Sequence, residues 1–373
     1  MGRLHANTNA AVVSAFLLIC SGYGRTHAVD GAEATGESQA WQRTRIVATL
    51  DAQIRKDENA IWCASFLAAR KTLEADVVGE APSLQGDPPL ALALSKAADP
   101  RSCIPEASLY AAAGRSDKGI IDQIRGGLAQ KFPAKTPPTF PGIRPDSLVA
   151  YAYLEANLKF AIPYFQNRKP LVFTDGAGRK TELSSFGIRP EDDYAYFQLR
   201  RQPAILCAFW DTTDHVLHLA ECVVDLDRTS QPNQILVAWM TPKPTLAEML
   251  ETLDALIKQG ERDEDRKGLG PNDVLLVPDM VWRMTHRFME LEGRPFTNAK
   301  LKGQRMDVAQ QDIYFRLDRG GAELKSEAKF YALPIPSHYV FDRPFIVVMK
   351  KRGAEMPYFV MWVANADLLT KWP

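Results

Sequence analysis

Near its C-terminus the chain runs Tyr339-Val340-Phe341-Asp342-Arg343-Pro344-Phe345-Ile346-Val347-Val348-Met349, and the second half of that run is apolar on both faces. A strand with one wet face alternates between polar and apolar residues; a strand without alternation is buried on both sides. A second apolar segment, Tyr358 to Val363, follows a charged connection that contains Gly353. The two segments predict a buried C-terminal hairpin, entered through an Asp-Arg-Pro-Phe corner.

The chain is long enough to bury such a hairpin in a large core, and 46% of its residues are hydrophobic. Its 45 basic residues balance 45 acidic ones. Neither this balance nor any basic stripe with interleaved aromatics argues for nucleic acid, so small-molecule or protein partners are favoured.

At the N-terminus, Arg3 and His5 precede the apolar run Ala10 to Cys20, and Thr26-His27-Ala28 offers small residues before Val29. This is the pattern of an export signal over residues 1–28, and its apolar run is too short to span a bilayer as a helix. A secreted or periplasmic location is expected, with no transmembrane segment. Cys20 follows Leu17-Leu18-Ile19, but Ile19 stands where a lipoprotein signal requires a small residue, so a lipid anchor is not favoured. Beyond residue 28 the cysteines are Cys63, Cys103, Cys207 and Cys222, whose spacing leaves any pairing open and contains no Cys-x-x-Cys.

Helical spacing is present in Gln39 to Lys56 (Ile46, Val47, Leu50, Ile54), in Ala60 to Leu73, and in Lys118 to Phe132 with Ile120, Ile124 and Leu128 on one face. A Pro-rich connector (Pro137, Pro138, Pro141, Pro145) then gives way to strand-like segments. Leu171-Val172-Phe173 ends at Asp175-Gly176, a hairpin signal. Ala204 to Trp210, Val216 to Val224 and Ile235 to Met240 read as extended. Thr245 and Glu248 form a capping box for an amphipathic helix that ends at Gly260, and Val274 to Val277 is a further strand. Helices first and strands later, without βαβ alternation, predict a single α+β domain over 29–373 with predominantly antiparallel sheets.

Taken in order, these segments resemble a serpin. Leu148 to Phe165 lies where that family has a long central strand and a Trp-x-x-Pro-Phe corner, here Phe160-Ala161-Ile162-Pro163-Tyr164-Phe165. Ile313 to Leu317, followed by Asp318, Gly320, Gly321, Ala322 and Glu323, is similar to the strand that feeds the reactive loop. The strongest match is the signature Phe341, Asp342, Arg343, Pro344, Phe345, with a structural role. The resemblance implies N-terminal helices packed around three mostly antiparallel sheets and an exposed reactive loop near the C-terminus. It also implies a monomer, no cofactor, no metal and no catalytic residue of its own, with a target protease as partner. Three positions depart from the pattern: Cys63-Ala64 replaces a Ser-Pro pair, Ala152 replaces an Asn, and Arg319 replaces an acidic residue at the hinge. Each departure bears on opening of the main sheet.

A serpin inhibits as a suicide substrate, inserting its cleaved loop as a new strand. The hinge here comprises Gly320, Gly321, Ala322, Glu323, Leu324, Ser326 and Ala328, in which Ala322, Leu324, Ser326 and Ala328 alternate with charges. Strand alternation would turn the former set inward. Bulky Leu324 and the two prolines, Pro334 and Pro336, oppose insertion. The scissile region is Tyr331, Ala332, Leu333 and Ile335. Leu333 and Ile335 each precede proline, which disfavours cleavage there. Tyr331 and Ala332 point to a chymotrypsin-like or elastase-like protease rather than a trypsin-like one, because no Lys or Arg lies between Lys329 and Arg343. The alternative is a non-inhibitory binding protein of the same fold whose loop does not insert. His215 and His218 lack the spacing of a metal site on a strand, and no Gly-x-Ser-x-Gly nucleophile motif is present.

Overall fold

The computed structural model describes residues 10–22, 41–189, 198–213, 216–260, 268–319 and 337–373. The C-terminal hairpin is central, as its two apolar faces require. Strands β17 (Phe345–Lys351) and β18 (Phe359–Val363) pair with each other inside a seven-stranded sheet. On one side that sheet continues through β12 (Asn233–Trp239), β11 (Val216–Asp225) and β10 (Ala204–Thr213). On the other it continues through β3 (Asn59–Cys63) and β2 (Thr44–Ile46), the last pair being parallel. Every residue of β3 and β18 is buried.

A second, five-stranded sheet has the order β14 (Met280–Arg287), β15 (Gln304–Leu317), β1 (Ala10–Gly22), β5 (Leu148–Leu158), β4 (Leu109–Arg115). We call it the main sheet. A four-stranded sheet is formed by β16 (His338–Val340), β13 (Val274–Pro278), β9 (Ser185–Ile188) and β6 (Phe165–Gln166). Strands β7 (Leu171–Thr174) and β8 (Lys180–Leu183) make a separate ribbon around the Asp175-Gly176 turn. The result is a mixed α+β fold with three larger, mostly antiparallel sheets, in agreement with expectation.

Helix α1 (Ser65–Leu73) crosses the main sheet on its core side. Helix α2 (Pro89–Lys96) begins with proline in its first turn, where a missing N–H costs nothing. Helix α3 (Ile120–Lys131) lays Ile120, Ile124 and Leu128 against Val149, Tyr151 and Tyr153 on the opposite face of the sheet. Helix α4 (Leu246–Gly260) packs on β10 and β11. The two large sheets meet through aromatic rings: Phe315 of β15 stacks on Phe359 of β18 at 4.9 Å, with Trp282 of β14 5.6 Å from Phe315.

Two helical expectations are corrected. The Gln39–Lys56 segment, where described, contains no helix. Ile46 belongs to β2, and Val47 donates its backbone N–H to the Ile61 carbonyl at 2.8 Å. In Ala60–Leu73 the helix starts only at Ser65, because Ala60 to Cys63 are recruited between β18 and β2. In both places cross-strand pairing outweighs a helical spacing of only a few residues. The apolar run read as an export signal is also a strand here, β1, in the centre of the main sheet.

The cap of α4 is present, with Thr245 Oγ1 accepting the Glu248 backbone N–H at 3.1 Å and donating to Glu248 Oε1 at 3.1 Å. Thr245→Ala is expected to lower stability by about 1 kcal/mol, measured by urea unfolding, with little change in the slope.

Candidate functional site

The predicted loop is suspended between two sheets. On its N-terminal side β15 leaves the main sheet at Leu317, and the backbone carbonyl of Arg319 accepts the Tyr164 N–H at 3.0 Å. On its C-terminal side the Ser337 N–H donates to Asp273 Oδ1 at 2.8 Å, and β16 then runs parallel to β13 in the four-stranded sheet. The residues named for hinge and cleavage, Gly320, Gly321, Ala322, Glu323, Leu324, Ser326, Ala328, Tyr331, Ala332, Leu333 and Ile335, lie outside the described residues. Tyr164 anchors the N-terminal attachment from below. It is fully buried, and its hydroxyl donates to the Leu226 carbonyl at 2.5 Å. The corner Phe160–Phe165 thus holds the start of the loop.

The signature residues close the other side. Phe341 and Phe345 are buried with their rings 5.5 Å apart, and Phe345 meets Phe173 of β7 at 6.4 Å. The Phe341 N–H donates to the Leu276 carbonyl of β13 at 3.0 Å, while the Asp342 carbonyl accepts from Thr174 of β7 at 2.7 Å. Arg343 lies over the Trp239 ring and donates to the Leu219 carbonyl at 3.4 Å. Burial raises the Asp342 carboxyl and lowers the Arg343 guanidinium, each moderated by the other's charge. Pro344 needs no hydrogen bond at this corner, so the chain can turn into β17. The segment therefore ties the four-stranded and seven-stranded sheets to the ribbon.

Two of the three positions that depart from the serpin pattern lie in the core, whereas Arg319 sits at the loop's start. Ala152 of β5 is fully buried, and Cys63-Ala64 leads directly into α1. Polar contact there comes from residues the sequence reading did not single out. Gln311 of β15 donates through Nε2 to Ser65 Oγ at 2.9 Å and to the Cys63 carbonyl at 3.1 Å. Its Oε1 is buried without a hydrogen-bond partner, which costs about 1 to 3 kcal/mol. The one available signal was a glutamine inside the inward set Ala309, Ile313, Phe315, Leu317.

Asp279, also unforeseen, joins β13 to β14 close to the loop's departure point. It is 7% exposed; its Oδ2 accepts from Gln166 Nε2 at 2.6 Å, and its Oδ1 has no hydrogen-bond partner. Burial pushes its pKa up to about 6. Gln166, Arg316 and Arg319 oppose that shift, whereas Asp318 adds to it. Arg316 itself pairs with Asp318.

A cavity of about 240 Å³ opens between α4, Leu50 and the seven-stranded sheet. Leu236, Leu250, Leu253 and Val348 form its walls, with Lys350 and Glu355 among its few charged residues. Cys63, Cys207 and Cys222 are buried and, with Cys103, are present as thiols. Burial pushes the Cys207 and Cys222 thiols up to about 12, far from a nucleophile's range. His215 lies outside the described residues.

No protein-family model and no curated protein matches this chain. Solved structures similar to it are serpins. Mouse protein-Z-dependent protease inhibitor is 12% identical, with 82% of this chain and 91% of that one covered and a TM-score of 0.49. Human thyroxine-binding globulin in complex with thyroxine is 12% identical over 83% and 92%, with a TM-score of 0.46. Tengpin, a thermophilic serpin in its native state, is 11% identical over 90% and 96%, with a TM-score of 0.45.

The buried carboxyl of Asp279 gives a prediction with a definite sign. Its folded pKa of about 6 exceeds the ordinary aspartate value of 3.8, so between those values the folded chain binds a proton that the unfolded chain does not. Stability therefore rises as pH falls through that window, and above it the ionised carboxylate costs up to about 3 kcal/mol. Asp279→Asn is expected to raise the melting temperature at pH 7.5, and the gain should shrink toward pH 4.5. An equal gain at both pH values would contradict the assignment.

Proposed function

We propose that this chain is an exported serpin-like protease inhibitor that presents residues 320–336 to a target protease as a suicide substrate. The observation that carries the reading is the suspension of this segment between two sheets. Arg319 is held by Tyr164 at one end, and Ser337 by Asp273 at the other. A segment tethered at both ends loses less freedom on docking than a free tail, which favours binding by a protease cleft. The protein supplies no catalytic group. The target's nucleophile attacks a backbone carbonyl in Tyr331–Leu333, and the inhibitor's part is to hold the acylated enzyme. Cleavage there leaves an insert of about ten residues counted from Ala322, a strand of roughly 33 Å.

The expected result is a complex that survives denaturant with a chymotrypsin-like or elastase-like protease and not with a trypsin-like one. Its acylated end should map to Tyr331 or Ala332 by mass spectrometry. Clean turnover of the loop by every protease, with no complex, would rule out trapping.

A second reading, a non-inhibitory binding protein of the same fold, is favoured by one observation, the apolar cavity beside α4. Walls of leucine and valine, with the carboxylates Asp254 and Glu355 outnumbering Lys350, fit a small apolar ligand with a basic end. Medium-chain alkylamines are expected to raise the melting temperature, and Ala247→Phe, which fills the cavity, to abolish the rise. No shift with any of them would remove the support for this reading.

A further inference from the structure

The main sheet is continuous only because β1 lies in it. Its Cα partners run from Ala10 opposite Leu317 to Gly22 opposite Gln304 on β15, and from Ala10 opposite Leu158 to Cys20 opposite Leu148 on β5. Both ladders are antiparallel. Without this one segment β15 and β5 have no common neighbour, and the sheet separates into β14-β15 and β5-β4.

The same residues carry the signature of a removable export signal. Ala10 to Cys20 has no charge and no proline, and a cleavage point is expected before Val29. Signal peptide and central strand place the same demand on composition, an uninterrupted apolar run. Cleavage at that point would give the chain two forms, one with the strand and one without.

The layer facing the core mixes small and large residues, Ala150, Ala152 and Leu154 on β5 with Ala309, Ile313 and Phe315 on β15. Side chains there stand off the face of the sheet, so the backbones alone set the gap that a strand must fill. Phe16 stands in register with Gln311 on one side and Ala152 on the other, and the β1–β15 ladder shifts register between Ile19 and Cys20.

We infer that the gap between β5 and β15 is a strand-binding slot whose resident occupant in the unprocessed chain is its own segment Ala10–Gly22, so that loss of the N-terminal segment vacates the slot. While the segment is present the main sheet is filled and cannot accept a further strand. Its removal exposes two parallel rows of backbone donors and acceptors, and β-strand addition satisfies both rows at once. Export processing then acts as a release step. Only the consequence for inhibition rests on reading residues 320–336 as a protease-facing loop; occupancy of the slot does not.

In the full chain, Leu148→Cys places a thiol opposite Cys20, and mild oxidation is expected to join the two, as mapped by peptide mass spectrometry. Val149→Cys, one register position away, is expected not to react with Cys20. Independently, a chain beginning at Val29 is expected to melt at least about 5 °C below the full chain. It should bind a lysine-tagged peptide of residues 10–22 at one-to-one stoichiometry with recovery of the melting temperature, and a scrambled peptide should have no effect. Absence of the Cys20 cross-link in a folded Leu148→Cys chain would overturn the inference. So would a chain from Val29 that matches the full chain in stability and ignores the peptide. A cross-link and peptide recovery without any protease complex would uphold the slot and remove the inhibitor reading alone.

Discussion

The buried seven-stranded sheet cannot close until the last part of the chain arrives. Strand β18 supplies the edge on which β3 pairs, and Asn59 at the start of β3 locks that register. The Asn59 side chain accepts the backbone N–H groups of Ala364 and Asn365 at 2.8 and 3.0 Å, and donates to Asn365 Oδ1 across 306 positions of sequence. Asn365 in turn donates to the carbonyls of Arg43 and Asp57. Two fully buried asparagines are tolerable only because their amides are paired so completely. The ion pairs from Arg43 to Asp175 and Asp367 extend the same clasp to the surface. A fold closed by contacts of such separation gathers its core late.

That constraint explains why the signature corner can serve as a fixed post for the loop. Phe341, Phe345 and the backbone of Asp342 are welded to β13, β7 and β17, while the other end of the loop leaves from the main sheet at Tyr164. The two attachments belong to different sheets. Asp279 sits under this junction, where its ionised carboxylate adds charge next to Arg316 and Arg319.

Much of this was legible in the chain. Elements whose local pattern agrees with their tertiary role, such as the capped helix at Thr245, α3 and the apolar hairpin, were readable because propensity and burial point the same way. Ala60 to Cys63 misled because a strand buried on both faces has no period of its own and can be mistaken for the start of an apolar helix. Of the candidate site, the corner and the strand feeding the loop could be placed from residue identity. Gln311, Ser65 and Asp279 could not, since each is a single polar residue whose significance arises from neighbours distant in sequence. Asp279 is held by Gln166 across 113 positions, and Gln311 by Ser65 across 246.

The apolar N-terminal run is the sharpest case, because two readings of one composition are both physically sound. Eleven uncharged residues, all but Ser14 apolar, can be recognised by an export machinery or paired between two strands, and nothing in their order separates these outcomes. What separates them is the partner. For an extended strand the partners are β15 and β5, which pair with Ala10–Gly22 in two antiparallel ladders, and fully buried Ala152 stands in register with Phe16 without a polar group of its own to leave unsatisfied.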